Sequence, residues 1–223
     1  MVESKELIKK KVEQQLQSNT QVEASNVSVE VADDGGKVIL EGSVPYLSAK
    51  QAVTEVTKRV FGVREVENNL EVVHVEPFSS YADENLEADV REALFLSSVL
   101  QEDNIDVEVR EGVVTLLGSV SDYWKKSRAL ELATQVRGVK NVVDELAVVP
   151  TRGSTDEQIA LDVLATLDRD ISADIDQIDV HVDNGRVVFD GVVSSWIAKN
   201  AAKRAAESTA GVKDIVDNLS IRY

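Results

Sequence analysis

The chain has 223 residues and a net charge of −16, from 24 basic and 40 acidic side chains, with 43% hydrophobic residues and no cysteine. That balance excludes broad nucleic-acid binding, which needs clustered Lys and Arg against phosphate, and it opposes bulk attraction to an anionic membrane. The absence of cysteine removes disulfides and thiol chemistry and leaves the redox compartment open, while the length allows two or three small domains.

The first stretch, MVESKELIKKKVEQQL, is charged and helix-patterned, without the apolar core of a signal peptide or a lipobox cysteine. As written, the chain is expected to be cytoplasmic, or periplasmic if it is a processed form. Within this helix Lys9-Lys10-Lys11 reads as a solvated face. No apolar run approaches the roughly 20 residues of a spanning helix. Val27, Val29 and Val31 alternate as a half-buried strand. An insertion, Ala32-Asp33-Asp34-Gly35, leads into GGKVILEGSV (35–44), a tight turn and a second strand. Gly42 lies inside that strand, where glycine weakens pairing and needs a reason such as a bulge or a close approach of backbone. A packing reason suffices; a ligand touching the bare backbone is the functional alternative.

The same strings return. Gly118 and Gly191 follow Gly42 at intervals of 76 and 73 residues. Six positions before each lies Gly36, Gly112 or Gly185, and twenty positions after each lies Gly62, Gly138 or Gly211. Nine glycines holding one spacing three times make an internal repeat, and a period near 75 residues suits a small domain with its own core.

The second copy shows the unit most clearly. Residues 83–96 place Leu86, Val90, Ala93 and Leu94 on one helical face. Ile105, Val107 and Val109 alternate with acidic residues as a strand, and Arg110-Glu111-Gly112 turns the chain. Val113 to Val120 is nearly all apolar, as for a strand covered on both sides or tightly packed. Residues 123–137 form a helix with Ala129, Leu132, Ala133 and Val136 inward, capped at Gly138. Val139 to Val149 is the last strand. Two strands joined as a hairpin, then a helical crossover, predict an α+β unit of helix-strand-strand-helix-strand order. Its three-stranded mixed sheet carries both helices on one face, with the last strand parallel to the second. In the third copy Ile178, Val180 and Val182 fill the first strand. The expected domains are 1–76, 77–150 and 151–223, with charges of −4, −7 and −5. The links PFSSYA (77–82) and PTRGST (150–155) are short, so direct packing between units is plausible.

These residues resemble the BON domain family of bacteria. The resemblance rests on Gly36 to Val44 with Gly62-Val63-Arg64-Glu65-Val66-Glu67-Asn68-Asn69-Leu70, and on Gly112 to Val120 with Gly138 to Leu146. It rests equally on Gly185 to Val193 with Gly211 to Leu219. It covers almost the whole chain. It implies the fold above, an association with osmotic stress, and binding to phospholipid membrane surfaces or envelope proteins. Two departures stand out. The well-known members are exported, and no export signal is seen here. Glu145 replaces the asparagine found at Asn69 and Asn218.

Catalytic chemistry finds no support. A nucleophile needs a base beside it, and the chain has no Cys, no G-x-S-x-G elbow and only two histidines, His74 and His181, both read as surface residues. No phosphate-binding glycine motif occurs. The acidic stretch 168–185 lacks calcium-loop geometry, and Asp183-Asn184-Gly185 reads as hairpin turn chemistry. No enzyme activity, metal or cofactor is expected. Aromatics are scarce, so their placement counts. Tyr46, Tyr123 with Trp124, and Trp196 all fall four to six residues after a strand glycine, where strand hands over to helix, followed by Lys50, Lys125, Lys126 and Lys199. An aromatic beside lysine can anchor at a lipid headgroup zone or on a partner, or it can staple the core edge. The leading expectation is a non-enzymatic stress protein that binds phospholipid surfaces or envelope partners through repeated surfaces. The alternative is a cytoplasmic protein–protein adaptor or chaperone-like scaffold.

Overall fold

The structure, a computed structural model, describes residues 4–19, 26–32, 36–73, 82–151, 153–171 and 177–222. His74, most of the first link and part of the 168–185 stretch lie outside the described residues. Unit 1 comprises α1 (Lys5–Ser18), β1 (Val27–Val31), β2 (Lys37–Val44), α2 (Leu47–Lys58) and β3 (Glu65–Val72). Unit 2 comprises α3 (Asp83–Phe95), β4 (Asn104–Arg110), β5 (Val113–Val120), α4 (Tyr123–Gln135) and β6 (Asn141–Val148). Unit 3 comprises α5 (Asp156–Ile171), β7 (Ile178–Asp183), β8 (Arg186–Val193), α6 (Trp196–Glu207) and β9 (Asp214–Ile221). Each sheet has its middle strand antiparallel to the first and parallel to the third. This is the mixed order that the hairpin and crossover predict.

One face of each sheet makes the core. In β5 only Val114, Leu116 and Val120 are buried, while Val113, Thr115 and Leu117 are half-buried on the other side. The near-continuous apolar strand is therefore covered on one face, not two. Its second face lies open because both helices of the unit sit on the same side. Leu86, Val90 and Leu94 of α3 meet Ala129 and Ala133 of α4 over that sheet. Unit 3 fills its core differently. Phe189 stands where units 1 and 2 have Leu40 and Leu116, and α6 faces it with Ala198, Ala202, Ala205 and Ala206, so small helix residues make room for the ring.

The strand glycines have a backbone explanation. Gly42, Gly118 and Gly191 adopt φ values of +119°, +111° and +134°. A Cβ there would stand 1.9, 2.1 and 2.0 Å from the carbonyl oxygens of Asn26, Asn104 and Gln177, where the chain enters the first strand. No L side chain fits that space or that dihedral. The hairpins of units 2 and 3 are also alike. Glu111-Gly112 and Asn184-Gly185 both turn with positive φ, as two-residue hairpins require. Their amides donate to a carboxylate at the first residue of the unit's first helix. Glu111 and Gly112 reach Asp83 at 2.7 and 3.0 Å, and Asn184 and Gly185 reach Asp156 at 2.8 Å each.

Candidate interaction surface

The second helix of every unit begins immediately after the strand that carries the bulky-side-chain-free glycine, so its first turn is held at a fixed place on the unit's edge. Five residues past Gly42, Gly118 and Gly191 stand Leu47, Tyr123 and Trp196. All three reach a neighbouring unit. Leu47 is a buried member of unit 2's core. Tyr123 packs against the cores of both unit 2 and unit 3. The Trp196 indole donates its N–H to the Val63 carbonyl of unit 1 at 2.9 Å. Unit 1 thus plugs into unit 2, unit 2 into unit 3, and unit 3 back into unit 1.

Flanking contacts repeat the pattern. Ser127 and Asn200, each nine residues past its strand glycine, reach carboxylates of the next unit: Glu207 at 3.1 Å and Glu55 at 3.4 Å. Lys58 and Glu207 occupy matching places in α2 and α6. The Lys58 ammonium lies 4.8 Å from the centre of the Trp196 ring, and the Glu207 carboxylate faces the Tyr123 phenol. Burial, then the carboxylates of Glu207, Asp214 and Asp144, push that phenol up to about 12. The guanidinium of Arg137 stands 5.6 Å over the Tyr46 ring across the first seam. A heterologous contact repeated by a fixed rotation closes into a ring, and here the ring is written in one chain.

The lysines that follow the aromatics serve the fold. Lys126 donates to the Leu146 carbonyl at 2.7 Å and pairs with Asp144 at 2.9 Å. Lys199 does the same with the Leu219 carbonyl and with Asp217 at 3.3 Å. Each carboxylate also accepts the backbone N–H two residues on: Leu146 donates to the Asp144 oxygen that Lys126 leaves, and Leu219 donates to the same Asp217 oxygen that Lys199 meets. In unit 1 Asn68 takes the carboxylate's place, accepting from the Leu70 amide and donating to the Lys50 carbonyl at 3.0 Å. The sequence carries the pairing as Lys with Asp in two copies and with Asn in the third, 18 residues apart each time. Lys125 pairs with Asp103, whose side chain is only 5% exposed, at 2.9 Å.

Two of the expected aromatics do face solvent, with other apolar residues that the sequence reading did not single out. Tyr46 and Trp124 are 39% and 40% exposed, and Ile197 is 67% exposed beside Trp196. Among the described residues the largest apolar exposure is at the end of α3, where Phe95 and Leu96 are each 72% exposed and Val99 is 41% exposed. Phe95 borders a groove of about 490 Å³ lined by Arg91, Leu94, Leu100, Ile105 and Val107 among others. Sequence reasoning missed this tip, although a signal was present. Leu86, Val90 and Leu94 complete the inward stripe, so Phe95 and Leu96, one and two steps further, must point elsewhere. His181 is exposed on β7. Among the described residues, no three His, Asp or Glu side chains are grouped to hold a metal ion. No helix among them is long and apolar enough to cross a membrane.

Comparison with known proteins matches the BON domain pattern three times, to residues 4–74, 82–150 and 155–223. The outer membrane lipoprotein DolP of Haemophilus influenzae is 30% identical over 139 residues, which cover 62% of this chain and 71% of DolP. Osmotically-inducible protein Y of Escherichia coli is 29% identical over 139 residues, covering 61% of this chain and 68% of that protein. Among solved structures, the C-terminal domain of CdsD from Chlamydia trachomatis aligns over the whole of both chains at 14% identity with a TM-score of 0.27, too slight a likeness to build on.

Proposed function

The chain belongs to the BON domain family, and from that premise we propose that it is a non-enzymatic binding protein of the bacterial envelope, associated with osmotic stress, that contacts phospholipid surfaces or envelope partners. Support comes from its two relatives, one an outer membrane lipoprotein and one osmotically inducible. The observation that carries the reading is the outward apolar set: Phe95, Leu96 and Val99 at one tip, with Trp124 and Tyr46 at second-helix starts. Solvent-facing aromatic and aliphatic side chains of this kind insert at a headgroup boundary or pack on a partner. Lys50 remains a candidate to accompany them. Lys125, Lys126 and Lys199 have their ammoniums on carboxylates of their own unit, so contact falls mainly to the apolar residues.

Vesicle co-sedimentation tests this. The chain is expected to bind phosphatidylcholine vesicles containing phosphatidylglycerol, and the double change Phe95→Ser, Leu96→Ser is expected to weaken binding at least about tenfold, given the transfer energy of two such side chains. Equal binding by both proteins would remove the tip from the surface. The second reading, a protein–protein adaptor, is favoured by charge. Unit 2 carries −7, and Glu92 and Glu102 flank the tip, a setting that suits a basic partner better than an anionic bilayer. Capture of a defined partner that depends on Phe95, with no sedimentation at low salt, decides for it.

A further inference from the structure

We infer that the seam between units 1 and 3 is a releasable clasp, and that the closed ring withholds Trp196 until the clasp opens. The three seams occupy matching places but differ in chemistry. The first two share apolar cores. Leu47 and Val72 of unit 1 pack into unit 2, and Tyr123 belongs to the cores of units 2 and 3 alike. These seams are also joined by short covalent links. The third has neither. Among the described residues, none of unit 3 enters the core of unit 1, and none of unit 1 enters that of unit 3.

The third seam is a chain of polar contacts. The Trp196 N–H meets the Val63 carbonyl at 2.9 Å, and the indole face takes the Lys58 ammonium 4.8 Å from its centre. That ammonium also pairs with Glu55 at 3.0 Å, and the other carboxylate oxygen of Glu55 accepts from Asn200 at 3.4 Å. Water can replace each of these polar partners when the seam parts, at the cost of wetting one half-buried indole, whereas parting either of the others would open an apolar core shared between units. The ring therefore opens at the seam of units 1 and 3 first. Opening frees an indole beside Ile197, which is already 67% exposed, on the first turn of α6. That pair extends the apolar surface, a consequence that rests on the binding role proposed above.

The test uses the full chain, which has no cysteine and two tryptophans. Trp124→Phe leaves Trp196 as the sole indole. Glu55→Cys with Asn200→Cys supplies one pair of thiols to be joined by a short bis-maleimide. The cross-link is expected to form within one chain, and acrylamide is expected to quench Trp196 at least about twofold more effectively before joining than after. Cross-links only between chains, or equal quenching of the joined and unjoined forms, would overturn the clasp. Sedimentation with phosphatidylcholine–phosphatidylglycerol vesicles separates the two ideas. Weaker binding by the joined form supports withholding, and equal binding refutes it. If neither form sediments while quenching still differs, the clasp stands and the lipid reading falls.

Discussion

Replacing Gly118 by alanine tests the account of the strand glycines. The new Cβ would lie 2.1 Å from the Asn104 carbonyl oxygen, 0.9 Å inside the 3.0 Å below which such contacts essentially never occur, and the atom struck is backbone. Relief requires Asn104 to withdraw, which breaks the pairing of β4 at Ile105↔Gly118 and Asn104↔Ser119. The alanine must also hold φ near +111°, at a cost of about 1–3 kcal/mol. Losing one or two ladder bonds adds about 0.5–1.5 kcal/mol each. The sum is about 1.5–6 kcal/mol, a large share of the roughly 5–15 kcal/mol that holds a small protein folded. Urea unfolding followed by circular dichroism reads this directly. Gly153→Ala is the control, since no atom lies within 4 Å of its Cβ position, and it is expected to shift stability by no more than about 0.5 kcal/mol. A Gly118→Ala protein within about 1 kcal/mol of the parent would refute the steric argument.

The remaining expectations concern the supports of the surface. Lys126→Met leaves Asp144 and the Leu146 carbonyl without their cation and is expected to cost about 1–3 kcal/mol; the same change at Lys50, whose neighbour Asn68 is neutral, should cost measurably less in the same urea titration. Asp156→Ala removes the acceptor for the Asn184 and Gly185 amides and should lower stability by about 1–3 kcal/mol, with Asp156→Asn recovering part of it. The Tyr123 phenol, held neutral by burial and nearby carboxylates, should ionise near pH 12 in an ultraviolet pH titration, and Tyr123→Phe should delete that step. Because its folded value lies above its unfolded one, its contribution to stability is complete below pH 10 and is lost as pH rises toward 12.

The architecture of each unit was open to sequence reasoning because its determinants are local. Turn glycines, a period of two in β4 and a 3.6 period in α3 lie within a few residues of one another, and threefold repetition multiplied a weak pattern into a clear one. The roles of the aromatics and lysines were not open in the same way. Tyr123 and Trp196 carry the residue type of an interfacial anchor, and nothing within ten residues of either says that the surface it meets is a neighbouring copy of its own fold. Lys126 and Lys199 look free until the crossover brings β6 and β9 back under them with Asp144 and Asp217.

Chain-local chemistry thus dictated that one α+β unit is made three times, and where its strands must carry no side chain. Tertiary structure alone decided how the copies meet. The seam residues lie up to 145 positions apart, as Asn200 and Glu55 do, and contacts at that separation depend on how finished units turn toward each other, which no periodicity records. The same docking left Phe95 and Leu96 in solvent, because the helix that bears them needed only Leu86, Val90 and Leu94 to seal its own core.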